Sequence, residues 1–133
     1  MKTIHTAPSL DRDGWVLDSA EKRASATPHS FLIPDRSSRE GLQAGDAAQL
    51  LLFIETREGG NIVDLGTDRM WVLVKSRTAA GYVGVLDNDP GNAENLNLRE
   101  GDLIVFGPEH ICSIDAPPKD YIAEKYGQEF FEV

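Results

Sequence analysis

Apolar residues in this chain fall into short, closely spaced runs that carry the two-residue period of strands more often than the period of helices. Leu50-Leu51-Leu52-Phe53-Ile54, held between Gly45-Asp46 and Gly59-Gly60, predicts a strand buried on both faces. Met70-Trp71-Val72-Leu73-Val74 and Tyr82-Val83-Gly84-Val85-Leu86 flank Thr78-Ala79-Ala80-Gly81 and predict a hairpin. In that hairpin Trp71 and Leu73 share a face that Val83 and Val85 can meet across the pair. Leu103-Ile104-Val105-Phe106 and Ile111-Cys112-Ser113-Ile114 predict two further strands joined through residues 107–110. Phe31-Leu32-Ile33 before Pro34 reads as a strand and its stop, and Trp15-Val16-Leu17 as an edge strand. Helical signals are fewer. Asp18 with Glu21 has capping-box spacing ahead of Ala20, Ala24 and Ala26, and Pro28 ends that helix. Residues 115–127 offer an acceptor, prolines at the start and Gly127 at the exit, with Ile122 and Tyr126 on one face and Phe130 and Phe131 beyond as anchors. Residues 1–10 show little periodicity and read as a loose lead-in. The whole predicts a single α+β domain over 1–133. Its centre is a strongly bent, mainly antiparallel sheet or small open barrel, with a short helix before it and another after it.

Composition narrows the function classes. A chain of 133 residues with 41% hydrophobic content supports one core. One cysteine makes no internal disulfide, and no Cys/His set has zinc-site spacing. No run of 18 apolar residues exists, and the charged residues Asp11, Arg12 and Asp13 interrupt any leader-like apolar region, so the expectation is a cytoplasmic chain with no membrane segment. The net charge of -9 disfavours nucleic acid. That charge is unevenly placed: residues 1–86 carry 10 basic and 11 acidic side chains, and residues 87–133 carry 3 and 11. An acidic C-terminal third is either a solvated face or a docking surface for a basic protein.

Candidate chemistry is sparse. Asp87-Asn88-Asp89-Pro90-Gly91-Asn92 spaces oxygen atoms like the start of a calcium loop, but the glycine comes one place early and Glu94 is too close to close the site, so a turn is expected and no metal. His110 and Cys112 share a strand face, yet the cysteine sits among Ile111, Ser113 and Ile114 as a small buried hydrophobe and nothing is placed to orient the imidazole. His29 and Ser30 are adjacent and point apart, and His5 belongs to no constellation. No glycine pattern cradles a phosphate, so neither nucleotide nor other cofactor is expected. Leu42-Gln43-Ala44-Gly45-Asp46 and Leu98-Arg99-Glu100-Gly101-Asp102 echo each other, each leading into an apolar strand, and read as recurrent turn chemistry.

Several of these blocks together resemble a known family. Phe31-Leu32-Ile33-Pro34, Leu42 with Gly45-Asp46, Arg69-Met70-Trp71-Val72, Gly81 through Pro90, and Leu98 with Gly101-Asp102 leading to Phe106-Gly107-Pro108-Glu109-His110-Ile111 are similar in order to the YegJ-like bacterial family, a domain of unknown function. The resemblance covers residues 28–114 and implies a fold. By analogy with related small bacterial domains it also implies an immunity-type or accessory interaction role, without assigning any residue a task. The expectation is therefore a bacterial interaction protein and not an enzyme. It would bind a basic protein through Asp87, Asp89, Glu94, Glu100 and Glu109, with Trp71 or Tyr82 as an aromatic anchor where exposed. The alternative is a small-molecule or hydrolytic site formed by Asp87, Asn88 and His110, which requires those groups to converge on one pocket.

Overall fold

The computed structural model describes residues 3–131. Seven strands form one sheet: β1 (Ile4–His5), β2 (Trp15–Leu17), β3 (Ala47–Glu58), β4 (Asn61–Arg77), β5 (Tyr82–Leu86), β6 (Leu103–Phe106) and β7 (Ile111–Asp115). Their order is β1-β6-β5-β4-β3-β2, and β7 pairs with β3 on the edge that β2 also uses. Only β1 and β6 run parallel. Four short helices accompany the sheet: α1 (Leu10–Asp13), α2 (Ala20–Ala26), α3 (Arg36–Glu40) and α4 (Lys119–Tyr126), with 3₁₀ turns at Pro108–His110 and Gln128–Phe131.

The sheet curls into an open half-barrel because its two faces bury different amounts of apolar surface. Alternate residues of β3 divide between them: Ala48, Leu50 and Leu52 join a large cluster with Met70, Val72, Val74, Tyr82, Ile104 and Phe106, whereas Ala47 and Leu51 belong to smaller clusters on the other side. Trp15 of β2 and His5 of β1, at opposite ends of the strand order, meet edge to face with ring centroids 5.3 Å apart. The face bearing Trp15 is therefore the concave one. Leu96 and Leu98, from the long connection between β5 and β6, fill its centre.

The expected strands at residues 15–17, 50–54, 70–74, 82–86, 103–106 and 111–114 all form. Leu73 faces Val85 as the alternation requires, but a bulge between Val74 and Ser76 sets Val83 opposite Ser76. The two Gly-Asp turns are structurally equivalent. Gly45 and Gly101 hold φ of 95° and 91°, and the Asp46 and Asp102 carboxylates accept the backbone N–H of Gln43 and Arg99 three residues back. Each glycine N–H then donates 2.8 Å to a neighbouring strand, Gly45 to Val74 and Gly101 to Leu86.

Four expectations are corrected. Phe31-Leu32-Ile33 is not a strand: the backbone turns there, with the Ser30 and Phe31 N–H both donating to the Thr27 carbonyl, which buries Phe31 and leaves Leu32 exposed. The lead-in is tied down through β1 and α1, with His5 buried against Asp102. β4 runs nine residues further back than its apolar block, into a hairpin arm with β3 whose tip is Gly59-Gly60. The helix before the sheet forms with Ser19, not Asp18, as its cap.

Candidate functional site

The convex face carries one apolar row that crosses four strands in register, Ala47 to Leu73 to Val85 to Leu103. Helix α4 and the turn after it cover that row. Ile122 is fully buried on it, Phe130 nearly so, and Trp71 and Tyr126 pack at its margins. The helix follows two prolines and stops at Gly127, whose φ of 84° suits a residue without a side chain.

One carboxylate locks the helix in place. Asp87, just past the end of β5, accepts the Tyr121 hydroxyl on Oδ2 and both the Tyr126 hydroxyl and Lys125 Nζ on Oδ1, each at 2.6 Å. Lys125 also donates 3.0 Å to Glu100. Burial works to raise the Asp87 carboxyl, but the bonds from Lys125, Tyr121 and Tyr126 outweigh it and hold the group below its usual range. In return the Asp87 bond raises the Tyr121 hydroxyl; burial, then Asp87, raises that of Tyr126; and the bonds to Asp87 and Glu100 raise the Lys125 ammonium.

On each side of α4 lies an apolar cavity with a charged rim. One, of about 490 Å³, is floored by Val85, Leu103, Tyr126 and Phe130 and edged by Lys75, Glu100, Lys125 and Glu129. The other, of about 460 Å³, is floored by Ala47, Trp71, Leu73 and Tyr121 and edged by Asp87 and Asp115. Asp120 and Glu124 stand exposed on the helix between them. Among the described residues Asp115, Asp120, Glu124 and Glu129 enter no ion pair, so the rim is acidic in effect as well as in composition.

The structure thus gathers part of the expected constellation. Asp87, Glu100 and Trp71 meet around α4, and exposed Asp89 follows Asn88, whose side chain accepts the Trp71 N–H. Glu94 lies elsewhere, next to Asn95, which bonds Glu55 and Arg57 at the base of the hairpin arm. Glu109 sits beside His110. Tyr82 does not meet the condition of exposure: it is 1% exposed, donates its hydroxyl to the Arg39 carbonyl and accepts the Leu42 N–H.

Asp87 and His110 do not converge. In the antiparallel β5–β6 pair Tyr82 faces Phe106 and Val85 faces Leu103, so Asp87 and His110 lie past opposite ends, roughly 15 Å apart or more at 3.3 Å per residue. His110 accepts the Gly107 N–H, and burial holds its imidazole below the usual range against Glu109, Asp18 and Glu21. Cys112 is buried, which raises its thiol. No three His, Cys, Asp or Glu side chains among the described residues group as metal ligands. No described helix is long and apolar enough to cross a membrane.

Sequence reasoning passed over Tyr121, Lys125, Glu129 and Asp115 as site residues. The usable signal was the i,i+4 pair of Tyr121 and Lys125 beside that of Ile122 and Tyr126, which gives α4 one face for the sheet and an adjoining one for Asp87. No protein-family model, curated protein or solved structure matches the chain.

Proposed function

We propose that this chain is an interaction module that binds a basic protein segment across α4, an apolar or aromatic anchor entering one flanking cavity while cationic side chains meet Asp115, Glu124, Glu129 and Asp89. One observation carries the reading: two cavities with aromatic floors flank α4, and Asp115, Asp120, Glu124 and Glu129 around them enter no ion pair among the described residues. Interfaces gain affinity from a buried anchor and association rate from complementary charge, and this surface supplies both. In the form that the YegJ-like resemblance implies, the role is of immunity type, and the partner is a toxin with a cationic surface. The alternative site of Asp87, Asn88 and His110 lacks the convergence that it requires.

The test leaves Asp87 alone, because its carboxylate holds α4. The variant Asp115→Lys/Glu124→Lys/Glu129→Lys and the wild type are titrated by NMR with a lysine-rich peptide carrying a central tryptophan. Wild-type shifts should cluster on residues flanking α4, and affinity should fall about tenfold or more in the variant and on raising salt from about 0.05 to about 0.5 M. Shifts scattered over the surface, or equal affinity in the variant, would overturn the reading.

A further inference from the structure

Further along the convex face, beside Leu51 of β3, lies the opposite electrostatic arrangement. The chain has eight arginines, and six of them bond a carboxylate or a backbone carbonyl. Arg12 holds Asp13, Arg36 and Arg39 hold Glu21, Arg57 holds Glu55, Arg77 reaches the carbonyls of Glu40 and Leu42, and Arg99 those of Leu96 and Leu98. Arg23 and Arg69 are the two exceptions among the described residues, and they face the same cavity of about 560 Å³.

Both are held in place by Phe31. Its ring centroid lies 5.3 Å from the Arg23 guanidinium carbon and 4.9 Å from that of Arg69, so both cations sit over one aromatic ring, a contact that uses none of their N–H donors. Arg23 donates one of those N–H groups to the Thr67 hydroxyl at 3.1 Å. Thr27, whose hydroxyl donates 3.0 Å to the Arg23 carbonyl, and Ser30 line the same concavity, so polar groups arrive from α2, from the loop after it and from β4. Asp68 is the one carboxylate in the lining, and its Oδ1 accepts the Arg69 backbone N–H.

In a chain of net charge -9, two neighbouring guanidiniums that no carboxylate pairs among the described residues repel each other and keep unused donors. An anion relieves both costs. We infer that Arg23, Arg69 and the hydroxyls around them form a binding pocket for a phosphoryl group, as the free ion or as a small phosphate monoester. A phosphoryl dianion carries more charge and more acceptor oxygens than a carboxylate, which suits two guanidiniums with a hydroxyl beside them.

Titration with inorganic phosphate, phenyl phosphate and succinate, read on the Arg Nε–H and backbone resonances, tests this. Both phosphoryl probes should give saturable shifts at Arg23, Arg69, Thr27 and Thr67, and succinate should bind more weakly. Tighter binding of phenyl phosphate than of phosphate would identify an ester as the ligand; the reverse would identify the free ion. Arg23→Gln and Arg69→Gln should each weaken binding about tenfold. Arg69→Lys, which keeps the charge but loses the fork, should fall between, and Arg12→Gln should change nothing. Asp68→Asn, which retains an acceptor for the Arg69 N–H, should tighten binding. That variant keeps the test decisive if Arg69→Gln unfolds. Linear shifts without saturation, succinate binding as well as phosphate, or unchanged affinity in Arg23→Gln and Asp68→Asn would overturn the inference.

Discussion

Replacing Asp87 by alanine removes the acceptor on which three side chains of α4 converge. Each bond to a charged group contributes about 1.5–3 kcal/mol when shielded and a neutral one about 1. Solvent reduces those figures here: Lys125 is 36% exposed in its side chain, which brings its ion pair toward about 0.5 kcal/mol, and Tyr121 is exposed as well. Tyr126 is half-buried and keeps most of its contribution. The sum is roughly 2–3 kcal/mol for Asp87→Ala, against about 0.5 for the loss of the exposed Lys125–Glu100 pair in Glu100→Ala. For a chain of this size that corresponds to a drop in Tm of roughly 6–15 °C if the molecule unfolds as one unit. Hydrogen exchange distinguishes the local case: if α4 is released alone, its amides lose protection while those of β3 and β4 keep theirs. Asp87 does not lock α4 if Asp87→Ala behaves like Glu100→Ala and protection in α4 is unchanged.

Two further outcomes follow from the same structure. Burial raises the Asp13 carboxyl, but bonds from Arg12, Asn97 and Ser9 prevail and hold it at about 2. A depressed carboxyl contributes stability in full above its unfolded value, and that stability drains away as pH falls toward the folded one. Urea unfolding at about pH 7 and about pH 2 should lose about 1–2 kcal/mol more in wild type than in Asp13→Asn, the exposed Arg12 accounting for the low end. Gly45→Ala and Gly101→Ala should each cost about 1–2 kcal/mol in chemical denaturation, since both hold the left-handed conformation, and Gly45→Ala should cost more because an added Cβ would approach the Phe131 ring at 3.1 Å. A neutral or stabilising result at either glycine would refute the equivalence of the two turns.

What the sequence made legible was local. The apolar blocks at 50–54, 70–74, 82–86 and 103–106 are long enough, and bounded clearly enough, to declare themselves strands, and Thr78 to Gly81 marks their hairpin. The Gly-Asp echo was legible for the same reason, as each turn is built from its own five residues. Long-range partners were not. His5 looks solitary until β1 lies beside β6 and brings it to Asp102, 97 positions away. The arm from Asn61 to Arg69 lacks apolar alternation because both of its faces meet solvent, so no periodicity reveals it. At the candidate site, Asp87 and Glu100 were visible as acids. That two tyrosines and a lysine would converge on Asp87 depends on how α4 crosses the sheet, and helical spacing alone does not fix that crossing.

The seam between β1 and β6 also bears on how the molecule is assembled in time. The ribosome makes β1 about a hundred residues before β6, its one strand neighbour among the described residues, so Ile4 and His5 must wait unpaired while β3, β4 and β5 can already zip through short turns. Closing so long a loop costs entropy that is recovered only when the contact forms, which places this seam late in folding and makes the overall rate that of a non-local β topology, in the range of milliseconds to seconds. Until it closes, Trp15 lacks its edge-to-face partner and the concave core stays open at one end. A strand made well ahead of its partner is thus among the last to be seated, and the interval before it docks is when the nascent chain is most exposed to association with its neighbours.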